Sequence, residues 1–406
     1  MKTTPDKFAR ESRKATENSA FIRASVAILS ILLIINSLVA CADQASENSK
    51  ATTIEVTELS DYDSLISEND LMLGVPVRLK IDHSSQHLFI QDVALLAVIE
   101  LDEQYNEVLR FGNRGRGPGE IQSLDDFFIS EKHLFIVDGN RFLIHKYSRG
   151  DGQLISSLDY GELLIESKNS SVNGLPMPPP APLTSNNNRP FITLNETILL
   201  PSHTNGEFLY QAFNWQGEKV ADIGEIPDGY TPLADDEEVR SALRDKRVPE
   251  RDLALAFPVN DLSDFNEINL VYSAIPKIAK YTLTGNKIWE QDIPSTPEVD
   301  SLMIDLGNVL VNHPNQRASL LPVKKYMKGV NSPQGDLYLF TYTNMDTPHT
   351  PRRPMWIHQF DTKGTLVHRY KIISDVDLFY YPDIDYEYRR IFTPSFNESD
   401  VRVYPF

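Results

Sequence analysis

Few residues in this sequence could do chemistry, and they are scattered. The densest group is the loop Phe111-Gly112-Asn113-Arg114-Gly115-Arg116-Gly117-Pro118-Gly119-Glu120-Ile121. Its glycines expose backbone N–H groups, and Arg114 and Arg116 add positive charge, so the loop could hold an anion such as a carboxylate. The alternative is a plain turn between repeats, with glycines for positive φ and Glu120 pairing locally with one arginine. Asp92 and Asp138 close two similar runs, HLFIQD and HLFIVD. At the ends of inner strands, such carboxylates could bind a cation or a sugar across a channel. Alternatively, each caps the turn that follows it. Among nine histidines, His203 follows a strand-like run and could also face a channel. His145 and His358 each stand two residues before an aromatic, and His87 and His133 each begin a similar run, so repeat position accounts for them better than catalysis. No G-x-S-x-G, H-E-x-x-H, Walker or dinucleotide-binding fingerprint is present, so no catalytic residue, metal ligand or cofactor is assigned.

The elements that must position these residues repeat along the chain. A β-rich run, such as HLFIQD (87–92) or HLFIVD (133–138), is followed by a second strand ending in an aromatic, then a turn, then a third strand. In LYQAFNWQG, IAKYTLTG and WIHQFDTKG, a glycine falls four residues after Phe213, Tyr281 and Phe360; in the first unit Tyr105 takes that place. A tight hairpin needs a residue that tolerates φ > 0 there. Each unit has room for four short strands, the size of a propeller blade. Six units are read, at 77–124, 125–189, 190–263, 264–325, 326–372 and 373–406. The last lacks an outer strand, which TTIEVTEL (52–59) or VPVRLKI (75–81) would supply, closing the ring and removing open edges. The reading is an all-β, six-bladed β-propeller over 52–406, with insertions near 162–189, 228–263 and 295–325. Residues 231–256 look partly helical, with acidic residues from Asp235 to Glu238 and basic residues later, which suits a helix dipole. Residues 297–321 read as helix and loop, and 169–190 as a Pro/Asn-rich loop.

Composition narrows the function classes. The 406 residues include 57 acidic and 39 basic side chains, for a net charge of −18, which argues against a nucleic-acid partner. One cysteine excludes an internal disulfide framework and any cysteine-built metal site within one chain. The 26 Pro, 19 Gly, 19 Phe and 17 Tyr fit many strands and turns.

The N-terminus reads as an address. Six basic side chains precede an uncharged run over 24–40, which ends in Leu38-Val39-Ala40-Cys41. This resembles the lipobox of bacterial lipoproteins, whose cysteine is lipidated after the preceding peptide is cut away. The resemblance implies a signal peptide over 1–40, lipid attachment at Cys41, a flexible tether over 41–51 and a membrane as partner. Two or three acyl chains anchor stably where one is marginal. Ala42 stands where some sorting systems read Asp as an inner-membrane retention signal, so the expected location is the outer membrane of a Gram-negative envelope. Without residues 1–40 the charge deepens to −21, from 33 basic and 54 acidic side chains.

The motif Gly115-Arg116-Gly117-Pro118-Gly119-Glu120, followed by Leu124, Asp126, Phe127, Ile129, Ile136, Asp138, Ile144 and Tyr147, resembles a group of secreted six-bladed bacterial propellers similar to TolB-like and NHL-type propellers. Units 3 to 6 lack the Asp at the end of the inner strand. The resemblance implies the fold; most of the group has no assigned activity. The functional expectation is therefore an envelope module that binds a small ligand or a protein. A hydrolase or lyase at the channel mouth, or a scaffold subunit of an envelope complex, are the alternatives.

Overall fold

Two burial patterns govern the strands. Runs such as HLFIVD are apolar from Leu134 to Val137 because both faces are covered, whereas the later strand LISSLD alternates between half-buried and exposed positions because one face meets water. The structure, a computed structural model, describes residues 54–65, 72–166, 189–202, 207–231, 235–313, 315, 317–318, 322–342, 355–374, 381–395 and 399–406. Residues 1–53, including the signal-peptide reading, Cys41 and the tether, lie outside them, as do His203 and residues 169–188.

Residues Glu55–Phe406 form a six-bladed β-propeller. Blade 1 is β3 (Pro76–Asp82), β4 (His87–Asp92), β5 (Ala97–Leu101) and β6 (Glu107–Phe111). Blade 2 is β7 (Asp126–Ile129), β8 (His133–Asp138), β9 (Leu143–Ser148) and β10 (Leu154–Asp159). Blade 3 is β11 (Phe191–Ile192), β12 (Ile198–Pro201), β13 (Phe208–Phe213) and β14 (Lys219–Glu225). Blade 4 is β15 (Ala256–Asn260), β16 (Glu267–Tyr272), β17 (Lys277–Thr282) and β18 (Lys287–Asp292). Blade 5 holds β19 (Lys328–Asn331), β20 (Leu337–Tyr342), β21 (Met355–Phe360) and β22 (Leu366–Ile372). Blade 6 holds β23 (Asp383–Asp385), β24 (Arg390–Pro394) and β25 (Val401–Pro405). Successive strands of a blade pair antiparallel, and the apolar cores lie between blades, as where Leu79 and Ile90 of blade 1 meet Phe392 and Val403 of blade 6.

Closure differs from the expectation. Neither TTIEVTEL nor VPVRLKI completes blade 6. The outer strand is β2 (Asp63–Ser64), paired Asp63 to Val403 and Ser64 to Arg402, with Leu65 buried beside it. The segment before it, β1 (Val56–Leu59), adds a fifth, parallel strand to β22 of blade 5. VPVRLKI is instead the innermost strand of blade 1. One unit boundary also moves: Ala256–Asn260, read as the end of the third unit, is the innermost strand of blade 4. The same correction applies to Asp92 and Asp138, which end the second strand of their blades, not the innermost.

Gly217, Gly285 and Gly364 adopt φ of 81°, 93° and 78°, and Tyr105 takes the same left-handed region at 63°. Among the described residues three α-helices decorate the ring: α1 (Tyr160–Glu166), α2 (Asp236–Arg244) and α3 (Pro297–Asn312). Asp235 caps α2 by accepting from the Glu238 amide at 2.6 Å, and Pro297 opens α3. The two pack through Val239, Leu243, Leu302, Met303 and Leu306. Buried Glu298 then fixes α3 to blade 5 through His358 Nε2 at 2.7 Å, while Tyr326 meets His358 Nδ1 at 2.9 Å.

Candidate functional site: the central channel

A propeller's innermost strands alternate between a face packed into the blade and a face turned to the central axis. Here residues from all six of these strands line one cavity of about 860 Å³. That is within the ~300–1,000 Å³ usual for a small-molecule site. At Gly329 a Cβ would lie 2.7 Å from the Val259 side chain, so glycine is what lets β19 pass this close to β15.

One wall of the cavity is charged. Positions 78 and 80, two apart on β3, put Arg78 and Lys80 on the same face; Lys328 comes from β19, Asp126 from β7 and Asp383 from β23. Arg78 pairs with Asp126, and its guanidinium lies 3.9 Å from the centre of the Tyr381 ring. Asp126 also accepts from the Phe127 amide at 2.8 Å. Asp383 accepts from the amides of Ile81 (3.0 Å) and Ile384 (2.9 Å). Lys328 donates to the Pro382 carbonyl. Lys80 stands apart. Its ammonium sits 4.0 Å over the Phe128 ring and, among the described residues, makes no hydrogen bond or ion pair.

From Phe128, beneath Lys80, the lining turns apolar toward blades 3 and 4, through Phe191, Phe257, Val259, Leu262 and Phe265. Both lysines keep some surface because they face the cavity, yet protein surrounds them deep in the ring. That burial pushes Lys80 down to about 7, with Arg78 and Lys328 adding to the effect and Asp126 and Asp383 opposing it. Burial likewise pushes Lys328 down to about 8, against the pull of Asp383 and Asp126. Near neutral pH the site can therefore carry more or less positive charge according to what enters it.

The residues singled out in the sequence lie elsewhere. In the glycine loop, the Glu120 carboxylate accepts from the Gly117 amide at 2.6 Å and, among the described residues, pairs with neither loop arginine; its backbone carbonyl accepts from Arg141 at 3.1 Å. Arg114 and Arg116 are exposed, and among the described residues neither forms an ion pair. Tyr147 donates to the Gly119 carbonyl at 2.6 Å, which ties the loop to blade 2. Asp138, fully buried, accepts from the amides of Gln122 (2.8 Å) and Ser123 (3.2 Å), just after that loop. Asp92 takes the amides of Gly74, Val75, Ala94 and Leu95. Both carboxylates thus hold connections between strands, and none of Asp92, Asp138, Arg114, Arg116 or Glu120 lines the channel. His87 and His133 bond Glu100 (2.8 Å) and Glu196 (2.5 Å). Sequence reasoning missed Arg78, Lys80, Lys328, Asp126 and Asp383. The available signal was VPVRLKI, where two cations alternate with apolar residues on an otherwise apolar strand.

No family model matches the chain, and no curated protein matches it. Solved structures similar to it include an exported protein from Bacteroides fragilis (11% identity, TM-score 0.48, covering 86% of this chain and 99% of that one). A member of the DUF4221 family from Bacteroides vulgatus matches at 10% identity and TM-score 0.49, over 86% of this chain and 95% of that one. Virginiamycin B lyase from Staphylococcus aureus matches at 10% identity and TM-score 0.43, over 85% of this chain and 99% of that one. At these identities the likeness is one of chain path.

Proposed function

We propose that the protein is a lipid-anchored binding module of the bacterial cell envelope, and that its ligand site is the central channel. The observation that carries the binding reading is the channel itself: one cavity, built by all six blades, with a charged wall that gives way to an aromatic one. Such a pocket binds an amphipathic small molecule in a fixed orientation, since the apolar wall supplies affinity and the few polar groups supply direction. The location rests on the sequence. The basic start, the uncharged run and Cys41 support export and acylation, Ala42 favours the outer membrane, and the glycine-loop motif supports kinship with TolB-like and NHL-type propellers.

Crystals soaked with a library of neutral and charged fragments test the site. Fragments should collect against Phe128 and Phe257, and Val259→Trp, which fills the channel, should remove them. Fragments that cluster on the outer faces and ignore Val259→Trp would overturn the reading. Labelled palmitate should enter the native chain in bacteria and not Cys41→Ser, which should leave the membrane fraction.

A further inference from the structure

The channel's charges are not equally committed. Arg78 is held by Asp126 and stacked on Tyr381, and Asp383 is satisfied by two backbone amides. Lys328 spends one of its three N–H groups on the Pro382 carbonyl. Lys80 spends none among the described residues and rests on Phe128. A cation left unpaired this deep is costly to the fold. Asn331, which also lines the cavity, is only 3% exposed, and neither its amide nitrogen nor its amide oxygen has a partner among the described residues. Phe191, Phe257 and Val259 continue the lining.

We infer that the ligand of this channel is a small organic anion with an apolar body, its head group taken by the ammonium groups of Lys80 and Lys328 and its body laid on Phe128, Phe191 and Phe257. The inference rests on the proposed channel site and gives it a ligand class. A carboxylate accepts from both amines, and the Asn331 amide offers a further donor. A cationic ligand would meet three cations on that wall, two of which lack a carboxylate partner among the described residues. A neutral apolar ligand would leave Lys80 as costly as before. Burial holds both amines near neutrality, so a bound anion raises them and binding takes up protons; Arg78, Asp126 and Asp383 are the other charges acting on the pair.

The test is calorimetric titration of the full chain with 4-phenylbutyrate and with its neutral counterpart 4-phenylbutanol. Near pH 6.5 the carboxylate should bind about tenfold or more tighter than the alcohol, the size expected of charged hydrogen bonds away from water. Lys80→Met and Lys328→Met should each erase that preference. Lys363→Met, on an exposed outer turn, should leave it unchanged. In the unaltered protein, raising the pH to about 9 should erase the preference too, and titrations in buffers of different ionisation enthalpy near pH 8 should show proton uptake, so the result does not depend on any variant folding. Equal affinity for the two probes would overturn the anion inference and leave the channel site standing. A carboxylate preference that survives Lys80→Met and high pH would overturn it as well. Absence of carboxylate binding at millimolar concentration would also overturn it, with the channel site then judged by where the soaked fragments lie.

Discussion

At the scale of single residues, chemistry and architecture exchange places. The glycine loop and its neighbours Asp92 and Asp138 attract attention because they concentrate charge and conformational freedom. In the fold they organise connections. Asp138 accepts two backbone amides at the start of blade 2 while fully buried, so Asp138→Ala strands those donors. It should cost about 1–3 kcal/mol in urea unfolding while leaving probe binding in the channel unchanged. Gly285 is a second test: its φ is 93° and a Cβ would sit 2.6 Å from the Asp222 carbonyl oxygen, so Gly285→Ala should lower the unfolding midpoint. The channel cations escaped notice for a physical reason. On an ordinary half-buried strand, alternating cations mark the face toward water. On the innermost strand of a propeller the same alternation points Arg78 and Lys80 at the axis, and only the ring's closure separates the two cases.

Elements were legible where their signal was periodic. The three outer strands of a repeat could be read from alternation, aromatic ends and turn glycines, and α2 from its charge gradient, whereas the cap at Asp235 emerged only in the fold. Closure was not legible, because a strand of two residues, Asp63–Ser64, has no period to detect. Its hold is apolar instead: Leu59 is buried in the cluster between blades 5 and 6, and Leu65 in the one between blades 6 and 1. Leu59→Ala and Leu65→Ala should each cost about 2–4 kcal/mol, the range for emptying a core leucine site, and should speed hydrogen exchange first in β22 and β25. The attachment of α3 is electrostatic and answers to pH. Burial opposes a charged Glu298, but the His358 hydrogen bond and Arg369 outweigh it and hold the carboxyl at about 2. A carboxyl below its ordinary 4.5 gives stability that is present above that value and lost as pH falls toward 2. Burial also lowers His358, so the fold resists its protonation and begins to lose stability as pH drops below 6.5. Unfolding midpoints should therefore decline from about pH 6.5 downward, and Glu298→Gln should flatten the part of that decline between 4.5 and 2.

For the whole molecule, the channel sets function against stability. A closed ring of six blades forms an axis whether or not anything binds there, and an apolar filling would be the cheapest one. This ring instead keeps Lys80 at about 7 and Lys328 at about 8, both below their ordinary 10.5. The unfolded chain binds protons that the fold gives up, so the penalty is full below about 7 and is relieved as pH rises toward 10.5. The free protein should accordingly gain stability between about pH 7 and 9. Lys80→Met, which replaces a buried cation by a side chain of similar length, should be more stable at neutral pH by about 1–4 kcal/mol and show a shallower rise. An occupied channel reverses the sign: with 4-phenylbutyrate bound, the amines stabilise the complex only while charged, so the stabilisation by ligand should shrink over the same pH interval. Unfolding scans with and without the probe, from about pH 6 to 9, separate the two slopes. If Lys80→Met is less stable than the native protein at neutral pH, the lysine is part of the ring's own support and not a cost carried for a ligand.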